Sequence, residues 1–572
     1  MRKLCKVISL LVAVVMVLSA GMTAFAFTFP TPDWGALLQE KTKMVETTDF
    51  ELYAQGSADS APFYGAKFEP RAGAYIGAVP EKSEALQPYG SYLTYIEGMR
   101  LTDFYYPVNS MLPGADVITM AGWTIDNLNT IDYDHIRTTL STINSYNKPI
   151  LVRFANEMNV SSLGDDPNRY VEIFRKVADM IHQYPNLGVV WSPNDMGALN
   201  RPFEYFYPGD QYVDWIGVSC YMHKFFQGNA NTQYKDTVYF MTNAYAWATN
   251  KIKPILDFMK AKNIKKPLML SECGVATNNK YGDDYTSWAI PRMRNLLWYV
   301  TMKYPQVKMI NYFDVYRPNA AERFNISDYD YAKSIYNEAK NNGNYLTSYG
   351  DTADFVFQPA NNAGTLVVKD NKVTLYTLAY IANQPELSVN YHIDGKWYHS
   401  SNQIPYTCNM NISKLADGKH TLKISTLNLQ KEYVFYKQGG CIKFGSQPDA
   451  ATVKKTQEKV NVKINGKLIS FDQDPVIHEG RTLVPLRAIF EELGAEVDWD
   501  GDTQTVTAYE DGITVSMRIG TTHMAVDDKV LVLDVAAMLI NGRTLVPARA
   551  VSEAFKCKVD WDAQTRTVII TK

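Results

Sequence analysis

Cysteine and histidine are scarce: six and eight in 572 residues. The histidines show no H-x-x-x-H or related spacing and the cysteines fit no metal template, so neither a catalytic metal nor any other cofactor is expected. Cys5 falls in a leader segment, away from any cleavage point, which argues against a lipoprotein anchor. The remainder, Cys220, Cys273, Cys408, Cys441 and Cys557, is an odd set. A Cys408–Cys441 bridge is open to an exported protein, with buried free thiols as the alternative. An excess of charge is also missing. The 57 basic and 60 acidic side chains leave a net charge of −3, which gives no electrostatic case for nucleic acid or an anionic membrane surface. Beyond the first residues no apolar run is long enough to span a bilayer.

The one apolar run extends from Val7 to about Leu18. It follows Arg2, Lys3 and Lys6 and precedes the small-x-small site Ala24-Phe25-Ala26. This predicts a signal peptide over residues 1–26 and a secreted chain with no membrane attachment after cleavage, possible attachment to the cell surface aside. The rest is too long for a single core, so three or four domains are expected. Residues 27–66 form an N-terminal extension without clear periodicity. Over 67–345, short apolar strands alternate with amphipathic stretches such as Arg169–His182 and Tyr285–Lys303. Strands are expected to begin at Ala74, Thr102, Asp116, Pro149, Gly188, Trp215, Pro267 and Lys308. Eight such units fit an α/β fold, a (β/α)8 TIM barrel.

The pattern changes at residue 346. Short alternating segments over 346–444, separated by turns at Asp394-Gly395 and Asp417-Gly418, predict an Ig-like β-sandwich. A polar linker over 445–458 leads to an α+β region, 459–572, built on an internal repeat. "GRTLVPLRAIFEELGAEVDWDGDTQTVT" from Gly480 and "GRTLVPARAVSEAFKCKVDWDAQTRTVI" from Gly542 align at a constant offset of 62. In each, Arg481 or Arg543 opens a strand-to-helix unit and Trp499 or Trp561 opens a turn.

The chemistry is sought among acidic residues that end apolar strands, because a barrel carries its active face at the C-terminal ends of its strands. "PILVRFANEMN" puts Glu157 just past a fourth strand, and "PLMLSECG" puts Glu272 at the end of a seventh. Two carboxyls meeting across a barrel mouth suit glycosidic-bond hydrolysis, with one as proton donor and the other as nucleophile or base. Arg153, on the strand that leads to Glu157, can hold a carboxylate ionised or serve as a structural ion pair. Tyr221, Trp191 and Tyr312 end strands six, five and eight, as sugar contacts or as core. The 38 Tyr, 24 Phe and 10 Trp admit both uses. Asp210 and Asp214 read as structural.

The runs "GAYIG", "ITMAGW", "LVRFANEMN", "VVWSPN", "FYPGDQYVDWIGVSCY" and "KPLMLSECG" resemble glycoside hydrolase family 26, in the clan of retaining barrel enzymes that includes β-mannanases and β-glucanases. The resemblance implies Glu157 as acid/base, Glu272 as nucleophile, Tyr221 hydrogen-bonded to the nucleophile, and Asn156 at the sugar 2-hydroxyl. It implies a secreted endo-acting hydrolase of a β-linked polysaccharide, of the β-mannan or β-glucan class. Two departures stand out. The family usually carries His where Asn156 stands, and the segment after Asn159, "VSSLGDDPNRY", lacks the usual Trp. They leave room for a non-catalytic surface protein that binds carbohydrate on a glycosidase-like barrel. The C-terminal copies resemble the copper amine oxidase N-terminal ("stalk") domain. That resemblance implies a non-catalytic appendage, one that can contact the cell wall, and implies no copper.

Overall fold

The computed structural model describes residues 45–80, 86–97, 116–195, 201–224, 244–368, 371–381, 384–562 and 565–572. The expected signal peptide and the expected strand at Thr102 lie outside them. Among the described residues no helix is long and apolar enough to cross a membrane.

Eight parallel strands close into a barrel: Ala74–Pro80, Ser91–Glu97, Ile118–Thr124, Ile150–Phe154, Leu187–Trp191, Trp215–Met222, Leu268–Val275 and Val307–Asp314. The eighth pairs with the first, Met309 opposite Tyr75, which removes both sheet edges. The second strand therefore lies upstream of its expected start at Thr102. The helices between strands form for legible reasons. Asp166 caps Pro167–Ile181 by accepting from the Arg169 amide, and Pro167 occupies the first turn. Tyr170, Ile173, Phe174, Val177, Ala178 and Ile181 then recur at helical spacing and are buried. Inside the barrel, Tyr75, Leu93, Met120, Leu151, Val190, Met269 and Met309 belong to one apolar cluster.

The sandwich is built from a four-stranded and a six-stranded sheet. Its least expected member is Thr48–Ser57, from the extension that showed no periodicity. This strand lies in the middle of the four-stranded sheet, between Phe355–Pro359 and Lys372–Ile381. Leu52, Tyr53 and Ala54 are buried in succession, so the alternation that marks a half-exposed strand is absent. Tyr391 ties the two sheets together by donating to Tyr406 O at 3.0 Å. Cys408 and Cys441 are buried thiols, and the bridge between them is not formed. The expected linker contains a helix, Ala450–Glu458.

The C-terminal repeats form one interlocked domain. Arg481–Pro485 runs antiparallel to Arg543–Pro547, with Val484 opposite Val546, Leu483 opposite Pro547 and Pro485 opposite Leu545. At an offset of 62 this register places a pseudo-two-fold axis between the two valines. The axis is obeyed by side chains: Arg481 pairs with Asp534 at 2.6 Å and Arg543 with Asp472 at 2.5 Å. The first strand of copy one, Asn461–Ile464, lies parallel to the last strand of copy two, Thr567–Thr571. One inserted strand, Ile513–Arg518, breaks the symmetry. Trp499 and Trp561 each occupy the last position but one of a hairpin strand, Glu496–Asp500 and Lys558–Asp562.

Candidate active site

Strand alternation sends every second residue into the barrel. Above the apolar cluster this gives a polar layer of Arg153, Ser192, Ser219 and Ser271, all fully buried. Arg153 is the hub. Its Nε donates to Ser192 Oγ at 2.9 Å and its Nη1 to Glu272 Oε2 at 2.9 Å. Its Nη2 donates to Ser219 Oγ and stands 3.6 Å from Glu157 Oε1. Ser192 is in turn bonded to Ser271 at 2.7 Å. Burial opposes the charge on this guanidinium, but Glu272 and Glu157 outweigh it and hold Arg153 protonated.

Glu272 reaches this layer through an irregularity. Leu270 sits opposite Val218, but Glu272 rather than Ser271 sits opposite Ser219. The extra residue is a β-bulge, which re-aims the following side chain. Without it Glu272 would share the outward face of Leu268 and Leu270. Turned inward, it accepts from Tyr221 Oη at 2.6 Å, Tyr95 Oη at 2.7 Å and Arg153. Burial, followed by the Glu272 charge, raises both tyrosines well above their ordinary range, so they remain neutral donors. Tyr95 has room because strand three carries Gly122 beside it, where a Cβ would lie 3.0 Å from the Tyr95 ring.

Glu157 is placed by strain. Ala155 and Glu157 both adopt left-handed backbone, φ 46° and 57°, at roughly 1–2 kcal/mol each for residues with a Cβ. Two backbone bonds hold the turn, Ala155 N to Trp123 O at 2.9 Å and Glu157 N to Ser192 O at 2.8 Å. Burial raises the Glu157 carboxyl above its usual range and the Glu272 charge adds to this, while Arg153, Ser219 and Asn194 act in the opposite direction. Asn194 is fixed by a reciprocal pair of 2.8 Å bonds with Asn159. Its neighbour Asp195 is fixed by a buried ion pair with Lys251 at 2.6 Å. Glu157 keeps 24% of its side chain exposed and Glu272 keeps 11%, so both carboxylates open to the barrel mouth. Asn156 Oδ1, next to them, is buried without a hydrogen-bond partner among the described residues.

Four of the seven residues singled out from sequence therefore meet, Glu157, Glu272, Arg153 and Tyr221, and a fifth, Asn156, adjoins Glu157 in the chain. Two do not. Trp191 follows Val190 and precedes Ser192, both of which face inward, so its ring points outward and is buried against Phe203, Tyr207 and Phe258. Tyr312 likewise lies between the inward Asn311 and Phe313. Its hydroxyl is occupied by the backbone of Val275, and it offers no face to a sugar. Asp214 accepts from the Val189 amide at 2.8 Å and contacts His182 at 3.2 Å; Asp210 accepts from Tyr207 at 2.8 Å. Both are structural. Sequence reasoning missed Tyr95, because the second strand was expected at Thr102. The alternating "SYLTYIE" was the signal that marked the true strand. The serines and Asn194 left no signal of their own.

A family model for glycosyl hydrolase family 26 matches residues 117–291, and one for the copper amine oxidase N-terminal domain matches residues 463–570. A protein named as a protease inhibitor, from Brevibacillus choshinensis, is 28% identical over 127 residues, which are 22% of this chain and 38% of that protein. The β-1,3-xylanase TXYA of a Vibrio species is 26% identical over 125 residues, 20% of this chain and 25% of the xylanase. The chain thus spans well under half the length of these relatives. Among solved structures, a modular endo-β-1,4-mannanase from Cellulomonas fimi is 11% identical and covers 66% of this chain and 98% of its own, with a TM-score of 0.35. A family 26 β-mannanase from Bacteroides ovatus is 12% identical and covers 57% and 97%, with a TM-score of 0.34. The barrel is similar to family 26, and the C-terminal domain to the copper amine oxidase N-terminal module.

Proposed function

We propose that this family 26-like barrel is a secreted glycoside hydrolase that cleaves a β-linked polysaccharide, of the β-mannan or β-glucan class, with retention of configuration. The observation that carries the reading is the sharing of one buried guanidinium, Arg153, by two mouth-facing carboxyls, one just past strand four and one on strand seven. Glu272 is surrounded by donors and is suited to attack the anomeric carbon. Glu157 is raised by burial and by its negative neighbour and is suited to protonate the leaving oxygen, then to deprotonate water. Retention requires the carboxyls about 5–5.5 Å apart, a spacing that one guanidinium spans. Asn156 Oδ1, a buried acceptor without a partner, suits a sugar hydroxyl, the place the resemblance gives it. The C-terminal repeats are assigned to the cell wall and the leader to export.

The test is hydrolysis of β-1,4-mannan, mixed-linkage β-glucan and β-1,3-xylan by the full chain and by Glu157→Gln and Glu272→Ala. Each variant is expected to lose about 10³-fold or more in kcat. Azide is expected to restore Glu272→Ala as a product of inverted configuration. Binding without turnover, unchanged in both variants, would turn the assignment to a carbohydrate-binding protein on a glycosidase-like scaffold. For export, the N-terminus of protein recovered from culture medium is expected at Phe27.

A further inference from the structure

A carboxylate offers about four lone-pair sites to donors, shared between its two oxygens. At Glu272 three are filled among the described residues, and unevenly: Oε2 accepts from Arg153 Nη1 at 2.9 Å and Tyr95 Oη at 2.7 Å, while Oε1 accepts from Tyr221 Oη alone at 2.6 Å. The site left over is on Oε1. Both donors on Oε2 are fixed. Arg153 is held by Ser192 and Ser219. Tyr95 stands opposite Gly122 in the register of strands two and three, and its ring fills the space that a Cβ there would need. Oε2 is thus occupied from two separate strands and has no direction free for a new bond.

We propose that Oε1 is the atom that attacks the anomeric carbon, and that Tyr95 is a positioning residue that serves the second step: it holds Oε2 as the spectator oxygen and helps the carboxylate leave when the glycosyl ester breaks. This rests on the reading of Glu272 as nucleophile. In the first step the bond from Oε1 to C1 forms, the bond from C1 to the leaving oxygen breaks, and that oxygen takes the Glu157 proton. In the second, the oxygen of water bonds to C1, the C1–Oε1 bond breaks with its electron pair returning to the carboxylate, and Glu157 takes a proton from the water. Tyr95 gives up no proton in either. Its acceptor changes instead: Oε2 belongs to a carboxylate, then to an ester carbonyl, then to a carboxylate again. A donor bonds an ionised acceptor more strongly than a neutral one. Tyr95 therefore stabilises the free carboxylate most, the transition states less and the ester least. It restrains the first step and speeds the second.

The test removes the phenol and keeps the ring. Full-chain wild type and Tyr95→Phe are given 2,4-dinitrophenyl β-mannobioside, β-cellobioside and β-1,3-xylobioside. Their leaving group departs without a proton, so the second step limits turnover. Release of dinitrophenolate is followed by stopped flow, and the glycosyl adduct is read by intact mass. In Tyr95→Phe, kcat is expected to fall by about 10- to 100-fold, KM to fall with it, and kcat/KM not to fall. A burst of about one dinitrophenolate per enzyme and an accumulated adduct are expected alongside. The retained first step also shows that the variant is folded. Falls of equal size in kcat and kcat/KM without adduct, or no change in either, overturn the proposal. A product of inverted configuration from wild type, or release at the wild-type rate by Glu272→Ala, would instead overturn the reading of Glu272 as nucleophile.

Discussion

The barrel mouth and the C-terminal domain use the same two devices, an Arg–carboxylate pair and a left-handed residue with a Cβ, under opposite conditions. At the mouth, Arg153 is wholly buried and its partner Glu272 nearly so. In the repeats, Arg481 and Asp534 keep 53% and 65% of their side chains exposed. At the mouth, the left-handed Ala155 and Glu157 have no relaxed counterpart. In the repeats, the helix Leu486–Leu493 ends in Gly494 at φ 98°, and its copy, Ala548–Ala554, ends in Lys556 at φ 62°. These two residues sit at equivalent positions and close the same turn, donating to Glu491 O and Glu553 O at 3.0 and 2.9 Å. Strain that aims the Glu157 carboxyl is kept at the mouth. The same backbone state at a helix end is relaxed in one copy and tolerated in the other.

The largest effect expected from breaking the contrast is at Arg153. Arg153→Met leaves Glu272 buried without its counter-charge, and a pair broken in this way typically costs about 3–5 kcal/mol. Denaturant unfolding is expected to show that loss together with loss of hydrolysis. A stable Arg153→Met protein would mean the layer is held by its serines and tyrosines. Next come the axis valines. Val484→Ala and Val546→Ala each open a fully buried site and are expected to cost about 2 kcal/mol, equally, because they face one another across the pseudo-two-fold axis. Costs that differ by more than about half of this would argue that the inserted strand Ile513–Arg518 has shifted the core away from the axis.

Much of this was readable beforehand because the relevant signals are local. Seven of the eight barrel strands begin within two residues of their expected starts, since strands buried on both faces are continuous apolar runs. Glu157 and Glu272 were found because a charge at the end of such a run is conspicuous. What was missed depends on partners distant in sequence. Thr48–Ser57 is a strand because Phe355–Pro359 and Lys372–Ile381 flank it. Trp191 was placed at the correct strand end and Tyr312 on the correct strand, two residues short of its end at Asp314, but the inward face expected for a sugar contact was wrong for both, since the phase of a short apolar strand is set by its neighbours. Glu272 faces inward through a bulge that no residue type announces. The repeats were plain as two copies, but their interlocking follows from a register, Val484 opposite Val546, which the offset alone does not specify.

Two smaller changes sharpen the contrast from the C-terminal side. Lys556→Gly supplies the residue the first copy already has, and relief of the left-handed lysine is expected to stabilise the domain by about 1 kcal/mol, read as a raised denaturant midpoint. The smallest effect is expected from the exposed pair. Arg481→Ala removes a 2.6 Å ion pair of the same chemistry as Arg153–Glu272, but both partners stay in water when separated, so neither is left with an unpaired buried charge. Ordering two long side chains offsets most of the attraction, and salt screens the rest. A Tm change of about 1–2 °C or less is therefore expected, vanishing in high salt. A change as large as that at Arg153 would show that the symmetric pairs hold the repeats together, and that burial is not what separates the two regions.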